Sequence, residues 1–189
     1  MHYRTHGLVL AGRPSDEVWY FAYGSNMQTA TFRDRRGVPF SRALPARVSG
    51  WRIVFDKPPV VPGGAAVANI VADPAAVVFG VLYEITPEDL AHVELTEGVL
   101  IGNYHRVEVK AESLGAAVLA TTAASVASDL HDSTRVPSDR YMGCVIAGAE
   151  EHGLPSAYIS YLRGVPVCPE TEGVRELLDG VFRGLRPRS

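Results

Sequence analysis

Two features of this sequence could do chemistry together. One is the turn Gly24-Ser25-Asn26, three small uncharged residues that follow the greasy run VWYFAY. The other is a pair of carboxylates, Glu94 and Glu97, in the segment PEDLAHVELTEG. Small residues at the end of a rigid strand let a ligand approach the backbone closely. Successive N–H groups in such a turn can form a nest for a carboxylate or a developing oxyanion. The same residues also suit a plain tight turn after a core strand. A site of this kind needs a proton carrier as well. At about 100° per residue, Glu97 falls within about 20° of Leu90, on the side of Val93. That makes it a carboxylate on the apolar stripe in the last turn of a helix. Burial and the helix dipole both disfavour its charge there, which suits a general base working near neutral pH. Glu94 lies about 40° to the other side of Leu90. Periodicity does not choose between them, and either could instead be solvated at the edge of the stripe.

Other chemistries find less support. The six histidines (2, 6, 92, 105, 131, 152) show no HxxxH spacing, so no metal site is expected. No GxxxxGK[ST] or GxGxxG occurs, and Ser25 is not in a GxSxG elbow. His131-Asp132 reads as part of a solvated loop. Cys144 and Cys168 form no CxxC or Cys/His array, which suits a reducing cytoplasm, and Cys144 is expected as a buried apolar cysteine inside a helix. The formal net charge of −3 gives no electrostatic reason to expect nucleic acid or an anionic membrane as partner. GLVLAG is too short for a signal-peptide core, and the uncharged stretch Ser113 to Ser128 falls short of a bilayer span. The expected location is cytoplasmic.

The elements that must position these residues are legible in outline. Residues 1–17 read as a flexible leader ending in RPSD, and residues 18–189 as a single domain. Val18 to Tyr23 predicts a strand, Met27 to Arg36 a short helix, and Ala46 to Asp56 a second strand. Pro58 to Gly64 is a loop. Ala66 to Val71 and Ala76 to Ile85 predict two strands around a turn at Asp73-Pro74. Thr86 caps a helix with Pro87 at its first position, acidic residues behind it, and Gly98 as its stop. Tyr104 to Val109 and Ala116 to Thr122 predict further strands, and Asp129 to Pro137 a polar loop. Ser138 caps a helix to about His152, ended by Gly153, and helices are expected over Pro155 to Arg163 and Thr171 to Leu185. Strands gathered early and helices late argue for an α+β fold.

Four stretches, in this order, carry a resemblance: FAYGSNM, LTEGV, GNYHRVEV and VPSDRYMGCVIAGAEEHGLPSAYISYL. Together they resemble the gamma-glutamylcyclotransferase family over roughly Tyr20 to Leu162. The resemblance implies an α+β domain built on a small mixed β-barrel flanked by helices. It implies an enzyme that cleaves a gamma-glutamyl amine by ring closure, releasing 5-oxoproline and the free amine, with no cofactor and no metal. The family's catalytic glutamate stands immediately before Gly in the EG motif, which matches Glu97 and decides against Glu94. The family's substrate loop matches Tyr20, Phe21, Ala22, Tyr23, Gly24 and Ser25, and its later substrate-binding tyrosine matches Tyr141. The expected partner is a small gamma-glutamyl molecule, with no nucleic acid and no membrane; the chain could act as a homodimer.

Departures bear on the substrate. The glutathione-acting branch carries a YGSL-type loop, and Asn26 after Ser25 points away from it. The YGT-type loop of the branch acting on gamma-glutamyl-lysine is also absent. The bias towards Ala, Val and Arg suggests a bacterial chain, in which a related activity would be removal of a gamma-glutamyl protecting group from a biosynthetic intermediate. A non-catalytic small-molecule-binding module of the same fold is the remaining alternative, and the presence of Glu97 speaks against it.

Overall fold

The computed structural model describes residues 17–115 and 117–185. Except for Glu17, the expected leader lies outside them. Five strands, β1 (Val18–Ala22), β2 (Arg42–Lys57), β3 (Val67–Ile85), β4 (His105–Ser113) and β5 (Ala120–Ala127), close a barrel in the order β1-β3-β2-β4-β5. All pairings are antiparallel except the closing one, where β1 meets β5 in parallel at Tyr20 and Ala124. The α+β, mixed-barrel expectation is therefore met. Helices α1 (Pro87–Thr96), α2 (Asp139–Glu151), α3 (Ser156–Arg163) and α4 (Glu172–Leu185) complete the fold. Among the described residues no helix is long and apolar enough to cross a membrane.

The aromatics of β1 have a physical reason. The strand is buried on both faces, so its alternation feeds two cores. Phe21 and Tyr23 join Val48, Ile70, Leu82 and Val109 inside the barrel. Tyr20 and Ala22 join Met27, Phe32, Tyr83, Val93 and Val145 in the layer between barrel and helices. Phe32 lies 4.3 Å from Tyr83 and 5.7 Å from Tyr20, centroid to centroid, so the layer is stacked on aromatic rings.

Three sequence expectations need correction. Asp73-Pro74 does not divide two strands: β3 runs through it, because the register jumps from Ser49↔Val77 to Trp51↔Ala72. Residues 73–76 bulge out opposite Gly50, where proline's missing N–H removes no ladder bond. The fifth strand begins at Ala120 rather than Ala116, which lies outside the described residues, and it extends to Ala127. Its run Ala123–Ala127 is buried throughout; small residues buried on both faces leave no alternation to read. The helix expected over Met27 to Arg36 is a 3-10 turn, Ser25–Met27, followed by a π-helical turn, Ala30–Arg35.

The caps behave as their residues require. Thr86 Oγ1 accepts from the Asp89 N–H at 3.1 Å, and Ser138 Oγ accepts from the Tyr141 N–H at 3.1 Å. Gly98 adopts the left-handed conformation (φ 73) that ends α1 one residue after Glu97. Ser138 also donates to Glu170 at 3.0 Å, tying the start of α2 to the segment that leads into α4.

Candidate active site

A cavity of about 400 Å³ lies where the end of β1, the end of α1 and the first turn of α2 meet, with α4 along one side. Of the residues expected from the sequence, Tyr20, Tyr23, Gly24, Ser25, Glu97 and Tyr141 line it. Phe21 and Ala22 do not; both are buried in packing, where they hold the strand that carries the turn.

Glu97 sits at the C-cap of α1, and its two visible partners come from the segment after β1. Asn26 Nδ2 donates to Glu97 Oε1 at 2.8 Å and to Tyr20 Oη at 3.2 Å. The Arg36 guanidinium stands 3.0 Å from the same Oε1, and its side chain is only 6% exposed. Both contacts fall on Oε1. The stripe reading therefore captured the position of Glu97 but not its company, since the carboxylate is ion-paired rather than isolated. Arg36 is held in turn by Thr96 Oγ1, which accepts from it at 2.6 Å. Glu94 points elsewhere, towards Arg106 at 3.4 Å.

Tyr141 roofs the turn. A Cβ on Gly24 would stand 2.9 Å from the Tyr141 oxygen, so glycine is what lets the phenol come down on the backbone. The Ala68 N–H donates to that oxygen at 3.0 Å, and the Ser25 backbone contributes a second hydrogen bond. Burial pushes the Tyr141 phenol up to about 12 and raises Tyr20, Tyr23 and Tyr104 further. All four phenols keep their protons at neutral pH and are not bases. Glu97 is left as the carboxylate at the turn. Glu170, the other carboxylate on the wall, is taken by Arg140 at 3.0 Å.

Several wall residues escaped the sequence reading: Asn26 as a ligand of the carboxylate, Arg36, Lys57, Asn103 and Tyr104. Asn26, Asn103 and Tyr104 stand inside two of the quoted motifs, which was the available signal. Nothing in TFRDRRG singles out Arg36 from its neighbours, and a lysine before two prolines reads as a solvated strand end.

A closed barrel presenting one paired carboxylate beside a backbone turn, in a cavity of this size, defines a small-molecule enzyme site. Residues 77–162 match the AIG2-like family. Over 179 residues the chain is 27% identical to the gamma-glutamylcyclotransferase of Bos taurus, covering 92% of each. It is 28% identical over 172 residues to the gamma-glutamyl cyclotransferase aclK of Aspergillus oryzae, covering 80% of this chain but only 62% of that longer protein. A solved gamma-glutamyl cyclotransferase structure shares the fold with a TM-score of 0.71 at 24% identity, covering 87% of this chain and 99% of that one. Together these similarities support the gamma-glutamylcyclotransferase/AIG2-like family.

Proposed function

We propose that this protein is a gamma-glutamylcyclotransferase that converts a gamma-glutamyl-amino acid or related amine to 5-oxoproline and the free amine. The observation that carries the reading is the 2.8 Å hydrogen bond from Asn26 to Glu97, which joins the backbone turn and the carboxylate in one cavity. The substrate's α-amino group is mostly protonated at neutral pH and cannot attack until a base takes a proton. Glu97 takes it. The freed nitrogen attacks the γ-carbonyl carbon, forming the C–N bond of the five-membered ring. The carbonyl oxygen becomes an oxyanion, which a backbone N–H of the turn at Gly24 would stabilise, a contribution of about 3–4 kcal/mol from one such donor elsewhere. Collapse breaks the original amide C–N bond, Glu97 returns its proton to the leaving nitrogen, and the second proton of the ring nitrogen leaves with the free amine as its ammonium. Both reacting groups belong to one molecule, so holding a folded conformer supplies about 7–11 kcal/mol of the acceleration.

The test is to incubate the purified protein with gamma-glutamyl-alanine and with glutathione and to quantify 5-oxoproline over time. Release from the dipeptide, with little from glutathione because of Asn26, is the expected result. No 5-oxoproline from any gamma-glutamyl compound in a broad panel would turn the reading to a binding module. Tyr141→Phe takes the acceptor from the Ala68 N–H, at a cost of about 1–3 kcal/mol for a buried donor left unmet. We expect a lower melting temperature and a several-fold higher KM with a smaller change in kcat. Kinetics identical to wild type would make Tyr141 a packing residue.

A further inference from the structure

The segment TFRDRRG carries three arginines, and the π-helical turn Ala30–Arg35 sends them to three different places. The Arg33 guanidinium lies 4.2 Å from the centroid of the Phe40 ring, on an exposed side chain outside the cavity wall. Arg35 pairs with Asp179 of α4 at 2.8 Å. Arg36 is buried and turned onto α1. Its backbone N–H reaches back to the Thr31 carbonyl at 3.0 Å, the spacing of a π turn, which is a feature often found at functional sites. There α1 grips it at both ends. His92 Nε2 donates to the Arg36 carbonyl at 2.8 Å, Thr96 Oγ1 accepts from the guanidinium at 2.6 Å, and Glu97 Oε1 stands 3.0 Å from it. His92 and Thr96 are one helical turn apart, so they share one face of α1.

Glu97 needs such a holder. It is the C-cap of α1, where the carbonyl ends of the helix repel a carboxylate. Gly98 follows in the left-handed conformation, so the chain turns away at once. Asn26, which also donates to Oε1, is neutral. Arg36 supplies the positive charge, and its planar fork serves Thr96 and Glu97 at once from different nitrogens. We propose that Arg36 is a positioning residue of the reaction. It fixes the Glu97 carboxylate against Asn26 beside the Gly24 turn, so that the base meets the substrate's ammonium already aligned. It acts through Glu97 and itself neither takes nor gives a proton. This rests on the cyclotransferase reading.

The experiment measures 5-oxoproline release from gamma-glutamyl-alanine by wild type, Arg36→Met, Arg36→Lys and Arg33→Met, with a melting curve for each and a crystal structure of Arg36→Met. Arg36→Met is expected to lose about 10²-fold in kcat, the effect of misplacing a reacting group by about 1 Å, with KM little changed. Arg36→Lys should recover part of that loss, because it restores the charge without the fork. Arg33→Met removes the same charge from the same turn and should keep the wild-type kcat. In the Arg36→Met structure the Glu97 carboxylate should have left the Asn26 side chain. A wild-type kcat in Arg36→Met overturns the proposal, and so does a raised KM at unchanged kcat, which assigns Arg36 to substrate binding. An equal loss in Arg33→Met also overturns it, by tracing the effect to net charge or to the fold. If Arg36→Met does not fold, Thr96→Val takes its place. It removes the acceptor that steadies Arg36 and should lower kcat several-fold, and a wild-type kcat there overturns the proposal. If wild type releases no 5-oxoproline, the cyclotransferase reading fails by itself, and the variant's crystal structure still decides the role of Arg36. Glu97 displaced from Asn26 supports positioning, and Glu97 unmoved overturns it.

Discussion

Glu97→Gln turns over gamma-glutamyl-alanine about 10²–10⁴ times more slowly than the wild-type protein, with kcat carrying the loss. The amide is the same size and can still accept from Asn26, so the cavity keeps its shape. What it cannot do is take a proton from the substrate's ammonium. The substitution also removes the carboxylate 3.0 Å from Arg36, an interaction between side chains only 13% and 6% exposed. Arg36 keeps Thr96, which accepts at 2.6 Å, so the expected stability loss is about 1.5–3 kcal/mol, that of a hydrogen bond to a charged group. The melting temperature should fall by several degrees while the circular dichroism of the folded state is unchanged. Stopped-time 5-oxoproline assays and thermal melts on the same preparations separate the two effects. A variant with wild-type kcat would remove Glu97 from the chemistry, whatever its stability.

Gly148→Ala is the second large expected effect, and it acts through packing. A Cβ at Gly148 would stand 2.4 Å from the Gln28 backbone nitrogen and 2.6 Å from the Met27 carbonyl carbon. Helix α2 thus rests directly on the backbone just after Asn26, and no flexible side-chain tip is there to give way. Met27 is fully buried, and its carbonyl accepts from the Tyr83 hydroxyl at 2.8 Å, which fixes the turn from the other side. One methyl group must therefore push apart α2 and the turn, costing about 1–3 kcal/mol as overpacking does elsewhere. For a chain of this size that is roughly 2–12 °C in melting temperature. Because α2 carries Tyr141 and the turn carries Asn26, kcat should fall as well, before the protein melts. An unchanged melting temperature and unchanged kcat would show that α2 does not press on the turn as described.

The two glutamates show how far residue patterns reach. Helical spacing set both Glu94 and Glu97 near the stripe of Leu90 and Val93 and could not separate them. The motif context chose Glu97; in the fold Glu97 lines the cavity while Glu94 turns to Arg106. Boundaries marked by strong local chemistry were legible, as at Thr86, Gly98, Ser138 and Gly153, because caps and left-handed glycines act within a few residues. Boundaries that depend on a partner strand were not. Asp73-Pro74 looks like a turn until β2 passes beside it, and Ala123–Ala127 has no alternation because both of its faces are covered.

By itself the sequence determined the α+β class, the aromatic strand leading into Gly24-Ser25, the helix that presents Glu97 and the helix that presents Tyr141. Each of these follows from short-range periodicity, capping and motif order. Only the tertiary structure decided which charges meet. Asn26 and Arg36 reach Glu97 across 71 and 61 residues of chain (97 − 26 and 97 − 36), and Lys57 is drawn into the cavity wall by Asn103 and Tyr104. No local pattern encodes such contacts, because barrel closure and helix packing bring together side chains whose separation along the chain says nothing of their distance in space.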